Sequence, residues 1–156
     1  MARRLAVAKC ASIMEGVGGD ACVLGCDTIV VFDAEVLGKP DDEAHAEAML
    51  LRLASKTHEV VTGYAVFPPA SAEPEVGTAH SLVTMRAVSP GEAAAYAASG
   101  EPLDKAGAYA LQGDGSRFVE RVDGSRSNVI GLPLEAIVPI LVGLGIPRRP
   151  VHSTQP

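Results

Sequence analysis

Residues 21–32, which read ACVLGCDTIVVF, decide the fold class of this 156-residue chain. A nearly unbroken apolar run of this length is typical of a β-strand that is buried on both faces. Asp27 interrupts the run, and an isolated carboxylate in a buried strand is unfavourable unless it is paired, hydrogen-bonded or bound to a metal. Asp27 is therefore a candidate general base or Mg²⁺ ligand. The competing interpretation is a structural carboxylate that caps a loop or pairs with a buried lysine.

The sequence on both sides of this strand predicts a mixture of helices and strands. Helices are predicted at residues 2–15, after a cap at Asp41 or Asp42, and after a capping box formed by Ser89 and Glu92. Strands are predicted at residues 36–37, 58–67, 78–88 and 117–122, with a proline-rich hairpin loop at 68–75. We therefore expect one α/β domain at residues 1–146 and a flexible tail at 147–156.

The most apolar stretch is residues 129–146, which carries Glu135 and two prolines. A bilayer span needs about 20 apolar residues with few interruptions, so this stretch predicts a buried helix and not a membrane segment. Its apolar positions, Leu134 and Ile137 among them, repeat at helical spacing. Pro139 lies inside the pattern and predicts either a kink or a late helix start.

Charge and composition narrow the possible partners. The chain has 13 Lys and Arg against 19 Asp and Glu, a net charge of −6, which disfavours binding to a nucleic-acid polymer. Aromatic residues make up only 4 %, so base-stacking platforms are not expected either. A local basic pocket for a small phosphorylated ligand is compatible with these values. No signal peptide or membrane span is recognised, so we expect a cytoplasmic protein.

Several other residues are candidates for a site. The three cysteines form no CxxC pair and the four histidines are scattered, which predicts thiols that are buried and no zinc site. Lys39, in a Leu-Gly-Lys-Pro turn, can neutralise a phosphate, although the turn taken alone favours an ordinary surface lysine. Gln112 can read a base edge through its amide donor and acceptor, with a plain polar loop as the alternative.

Seven segments in this order and at these spacings resemble a known family. They are RLAxxK at 4–9, GCDTIVV at 25–31, LGKP at 37–40, HEVVTG at 58–63, GEPLDKAGAY at 100–109, QG at 112–113 and NVIGLPL at 128–134. Together they resemble the Maf family of nucleoside triphosphate pyrophosphatases. The resemblance extends from Arg4 to about Leu144, and its most specific part is residues 100–113.

This resemblance implies an inosine-triphosphatase-like α/β fold, a curved mixed β-sheet flanked by helices. It also implies hydrolysis of a nucleoside triphosphate to monophosphate and pyrophosphate with a divalent metal, Mg²⁺ or Mn²⁺. By resemblance, Asp27 is the proton acceptor and metal ligand, and Lys9 and Lys39 face the phosphates. Thr28 and Gln112 match positions that separate the subgroups, and this pairing resembles the dTTP/UTP branch. A homodimer and a link to septum formation are further implications.

The chain departs from the family pattern at its start. Maf proteins begin with a strand and a Ser-x-Ser-Pro-Arg-Arg loop that binds phosphate, and Arg3 and Arg4 do not match that loop. We therefore expect an opening segment on the order of 30 residues to be missing. Three hypotheses stay open: an active dTTP/UTP pyrophosphatase, a catalytically impaired nucleotide-binding or division-regulating protein, and a fragment from a misassigned start.

Overall fold

The computed structural model describes residues 1–147, so the predicted tail at 147–156 lies outside the described residues except for its first residue. Five strands form one sheet in the order β2-β1-β3-β4-β5. The strands are β1 (Val23–Phe32), β2 (Glu35–Leu37), β3 (Thr57–Phe67), β4 (Glu75–Met85) and β5 (Val119–Gly124). The helices are α1 (Ala2–Met14), α2 (Glu43–Leu53), α3 (Pro90–Ala97), α4 (Arg126–Ile130) and α5 (Leu134–Gly143).

An α/β fold with helices around one sheet is what the sequence predicts, but the expected mixture of strand directions is not found. All four pairings between the described strands are antiparallel. The strand direction alternates across the sheet, because β1 lies between β2 and β3 and β4 lies between β3 and β5. Strands that run the same way are therefore never neighbours within residues 1–147.

The larger core lies between one face of the sheet and helices α2 and α3. The helical spacing predicted for α2 is confirmed, because Ala46, Met49, Leu50 and Leu53 are all buried. Asp42 is the N-cap of α2, and its carboxylate accepts a hydrogen bond from the His45 amide at 2.7 Å. The capping box predicted at the start of α3 is also present. Local chemistry thus sets where both helices begin.

Helix α1 packs on the opposite face, directly on the backbone of β1 and β3. A Cβ atom placed on Gly25 would lie 2.6 Å from the carbonyl oxygen of Ala6. A Cβ atom on Gly63 would overlap the backbone of Ala2 and Arg3. The two glycines therefore permit the close approach that brings the middle of α1 to the side of β1.

Several predicted boundaries need correction. β4 begins and ends three residues earlier than predicted, because its pairing with β3 continues to Glu75. β5 begins two residues late, since Asp114–Phe118 forms a 3₁₀ turn. The prediction of a buried C-terminal helix is wrong: Leu134 is 46 % exposed, and of the residues of α5 only Ile137 is buried. The short helix α4 packs against β3 and β4, whereas α5 contacts the sheet at β3. Pro139 lies inside α5.

Within residues 1–147, none of the helices combines the length and the apolar character that crossing a bilayer requires.

His58 is a buried titratable group in the larger core. It is 2 % exposed, and its Nε2 atom lies 2.7 Å from the Tyr109 hydroxyl. Its Nδ1 atom has no hydrogen-bond partner among residues 1–147. Burial lowers the pKa of His58 from 6.5 to about 4. The unfolded chain therefore binds more protons than the folded protein between these two values, and stability falls as the pH falls through this window.

We expect the titration of His58 to lower the free energy of unfolding by roughly 2 to 3 kcal/mol when the pH falls from 7.5 to 4.5. The His58→Gln variant removes this titration while keeping a polar group beside Tyr109. Urea denaturation of both proteins at the two pH values measures the difference, and other titrating groups cancel in the comparison. An equal loss of stability in both proteins would contradict the assignment.

Candidate active site

A pocket of about 410 Å³ brings together all five side chains singled out from the sequence. They are Lys9, Asp27, Thr28, Lys39 and Gln112. The pocket lies along the edge of β1, where residues 23–29 pair with β3 but have no partner strand on the other side among the described residues. Neighbouring strand residues point to opposite faces of a sheet, and at an open edge both faces contribute to one pocket.

Asp27 is held by a lysine from α1. Its Oδ1 atom lies 2.7 Å from Lys9 Nζ, which also donates a hydrogen bond to the Cys26 carbonyl at 3.1 Å. The side chain of Asp27 is 16 % exposed and that of Lys9 is 57 % exposed. Within residues 1–147, the second carboxylate oxygen of Asp27 has no hydrogen bond, so it is available to water or a ligand. Asp27 is thus paired with a lysine, as the structural interpretation predicts, and still has one oxygen for the role of base or metal ligand.

Thr28 belongs to a buried polar network on the other face of β1. Its Oγ1 atom lies 2.8 Å from Thr62 Oγ1, and Thr62 donates a hydrogen bond to the Asn128 carbonyl at 2.9 Å. The Asn128 amide donates to the Val60 carbonyl at 3.1 Å and to Ser81 Oγ at 2.9 Å. Thr62 and Asn128 are fully buried. The network therefore fixes the hydroxyl of Thr28 against the sheet.

Gln112 lies on an exposed loop that is fixed on both sides. Tyr96 donates a hydrogen bond to Glu101 at 2.8 Å and accepts one from the Ala110 amide at 3.2 Å. The carboxylate of Glu101 also accepts from the amides of Asp114 and Gly115, both at 3.2 Å. Burial, with the hydrogen bond to Glu101, raises the pKa of Tyr96, so its hydroxyl remains a donor. These hydrogen bonds hold the backbone on both sides of Gln112, and Gln112 lines the pocket.

Comparison with known proteins places the chain in a family. A family model described as Maf-like protein matches residues 1–144.

The chain belongs to the Maf family.

Curated Maf relatives support this assignment. A dTTP/UTP pyrophosphatase of Myxococcus xanthus is 52 % identical over 127 residues, which are 81 % of this chain and 63 % of that relative. A dTTP/UTP pyrophosphatase of Moorella thermoacetica is 45 % identical over 142 residues, 91 % of this chain and 73 % of the relative. A dTTP/UTP pyrophosphatase of Syntrophomonas wolfei is 48 % identical over 123 residues, which are 79 % of this chain and 65 % of that relative. The chain thus spans less than two thirds of the length of two of these three proteins.

The Maf pocket holds two charged side chains to which the sequence analysis gave no role. Lys105 lines the pocket, with its Nζ atom 2.9 Å from Asp104, which also lines it. With Lys9, Lys39 and Asp27, the pocket contains three lysines and two aspartates. This local positive excess in a chain with a net charge of −6 suits an anionic ligand. The adjacent opposite charges at 104–105, inside the most specific motif, were the sequence signal that could have identified these two residues.

The thiols nearest the pocket are not activated. Burial raises the pKa of Cys26, which lines the pocket, and of Cys10 and Cys22. All three are free, and Cys10 is fully buried while the other two are partly exposed, so the prediction of buried thiols is confirmed only for Cys10. A raised pKa keeps these groups protonated and poorly nucleophilic at neutral pH.

The donor set of the Maf pocket fits a metal that enters together with phosphate. The residues that the structure describes contain no group of three or more His, Cys, Asp or Glu side chains able to hold a metal ion. Asp27 and Asp104 are the carboxylates that line the pocket. Mg²⁺ commonly binds proteins through one or two carboxylates plus substrate phosphates and water, and Mn²⁺ accepts the same oxygen ligands.

Proposed function

We propose that this chain is a nucleoside triphosphate pyrophosphatase that converts dTTP and UTP to the monophosphate and pyrophosphate. The observation that carries the proposal is the placement of Asp27, partly buried and paired with Lys9, in a pocket with two further lysines. The relatives named dTTP/UTP pyrophosphatase support the choice of substrates. Their names describe longer proteins, so the activity of this chain rests on its own residues.

Asp27 is suited to orient the attacking water and to accept its proton. The ion pair with Lys9 leaves one carboxylate oxygen free and holds the carboxylate in one position. A base in a fixed position lowers the entropic cost of reaching the transition state. We therefore assign Asp27 as the base that accepts the proton of the attacking water. Lys9 is the residue that positions Asp27 and contacts phosphate.

The lysines of the pocket are suited to the charge that develops during phosphoanhydride cleavage. Such reactions depend mainly on positioning and on stabilising charge on phosphate oxygens. Lys39 and Lys105 reach the pocket from the turn after β2 and from the loop before Tyr109. Asp27 would hold a bound Mg²⁺ or Mn²⁺, with Asp104 as a second carboxylate. When bound, the metal neutralises phosphate charge.

A panel of nucleotides tests this proposal. The purified chain is incubated with dTTP, UTP, CTP and GTP in the presence of Mg²⁺ or Mn²⁺, and pyrophosphate release is followed. We expect release from dTTP and UTP that is at least about tenfold faster than from CTP, and no release after chelation with EDTA. The Lys39→Ala variant should raise KM more than it lowers kcat if Lys39 binds phosphate. Absence of release from every nucleotide with both metals would overturn the proposal.

We also propose a cytoplasmic location. All three cysteines are free in the structure, and free thiols are typical of proteins in a reducing compartment.

A further inference from the structure

The hydrogen-bond direction at Thr28 follows from the atoms around Thr62. The hydroxyl of Thr62 carries a single proton, and its oxygen lies 2.9 Å from the carbonyl oxygen of Asn128. A carbonyl has no proton of its own, and two oxygens at this distance repel each other unless a proton lies between them. The proton of Thr62 must therefore point at Asn128.

The contact between the two threonines then has only one possible direction. Thr28 Oγ1 lies 2.8 Å from Thr62 Oγ1, and Thr62 has no second proton to give. The proton of Thr28 must point at Thr62, so the oxygen of Thr28 presents only lone pairs to the pocket. A group of the ligand that faces Thr28 is bound well only if it is a hydrogen-bond donor.

The carbonyl that sets this direction is itself fixed. Asn128 is fully buried, its side-chain amide donates to Val60 and Ser81, and its carbonyl also accepts from the Gly131 amide at 2.9 Å. Thr62 is fully buried too. Reversal of the two hydroxyls would therefore bring the lone pairs of Thr62 to 2.9 Å from the lone pairs of a carbonyl oxygen that cannot move away, which is unfavourable.

We propose that the nucleobase lies against Thr28, on the face of β1 opposite the ion pair of Asp27 with Lys9, and that Thr62 is a positioning residue for substrate selection. Thr62 fixes Thr28 as a hydrogen-bond acceptor, which selects nucleobases with an imide N–H. This inference rests on the proposed function and deepens it. Uracil and thymine share an imide N–H between two carbonyl groups, whereas the matching ring nitrogen of cytosine has a lone pair and no proton. Cytosine would place a lone pair against the lone pairs of Thr28, and a site with a fixed hydrogen-bond direction rejects such a mismatch strongly.

The Thr62→Val variant tests this selection, because valine has nearly the same shape and no hydroxyl. The Asn128 carbonyl keeps its bond from Gly131, and Thr28 becomes free to rotate and to donate. We expect the ratio of kcat/KM for UTP over CTP to fall about tenfold. Thr62→Ser keeps the hydroxyl and should restore the ratio. Thr57→Val is the matched control, since Thr57 is on the same strand and pairs with Thr84 at 2.9 Å outside the pocket.

A modified nucleotide tests the same inference on the unaltered protein. 3-Methyl-UTP lacks the imide proton but keeps the sugar and phosphates of UTP, and we expect its kcat/KM to be at least about tenfold lower. Equal use of UTP and 3-methyl-UTP would overturn the assignment of the imide as the donor, as would an unchanged ratio of UTP to CTP in Thr62→Val. An equal loss of kcat/KM for all nucleotides in Thr62→Val would show that Thr62 has only a structural role, and would also overturn the inference.

A binding measurement distinguishes failure of the proposed function from failure of this inference. If the unaltered chain cleaves no nucleotide, calorimetric titration with UMP and CMP still reports base selection. Tighter binding of UMP that is lost in Thr62→Val and kept in Thr57→Val supports the inference without turnover. Equal affinities for UMP and CMP in the unaltered chain would overturn it.

Discussion

The Asp27→Asn variant is expected to lower kcat for UTP about a thousandfold while leaving the fold intact. Asparagine has the shape of aspartate but neither the charge nor the basicity to accept a proton from water, and loss of a general base commonly has an effect of this size. Lys9 would lose the partner that lies 2.7 Å from its Nζ atom. Its ammonium group is more than half exposed and stays solvated, so we expect little loss of stability.

Steady-state kinetics with UTP and Mg²⁺, together with thermal unfolding, measure both expectations. Asp123→Asn is the matched control, because Asp123 is also ion-paired, with Arg121 at 2.6 Å, but lies on β5 outside the pocket. It should retain nearly full activity. Activity of Asp27→Asn above about a tenth of that of the unaltered chain would contradict the role of Asp27 as the base.

The Gly63→Ala variant is expected to destabilise the protein by about 3 kcal/mol or more. The added methyl group would meet the backbone of Ala2 and Arg3, which cannot move aside as a flexible side chain can. Helix α1 must then lift from the sheet or shift along it. Since α1 carries Lys9, activity should fall together with stability.

Urea denaturation midpoints test this expectation. Gly91→Ala is the control, since Gly91 lies in α3 and a Cβ atom there meets nothing within 4 Å. Alanine favours a helix over glycine by about 1 kcal/mol, so this variant should be neutral or slightly stabilised. Equal midpoints for Gly63→Ala and Gly91→Ala would show that α1 does not depend on this close approach.

The sequence predicted best the features that are decided locally. The burial of Leu50 and Leu53 follows from helical spacing, and the start of α3 follows from the pairing of Ser89 with Glu92. Each of these depends on residues a few positions apart. By contrast, Leu134 has the same spacing signal as a buried residue and is half exposed, because no local pattern shows which neighbours will cover a helix.

The resemblance to a family identified the residues of the candidate site, but their interactions required the structure. The pairing of Asp27 with Lys9 depends on how α1 lies against β1. The contact between Thr28 and Thr62 depends on strand register, which aligns these two residues across β1 and β3. A shift of one residue would send Thr62 to the other face of the sheet. The donor and acceptor directions at the pocket therefore cannot be read from the sequence.

The identity of the products from UTP tests the central claim most directly. The purified chain is incubated with UTP and Mg²⁺, and the products are followed by ³¹P NMR spectroscopy. We predict UMP and pyrophosphate in equal amounts, because cleavage between the α and β phosphates is the reaction assigned to the pocket around Asp27. Formation of UDP and inorganic phosphate, or no change in UTP, would contradict the account.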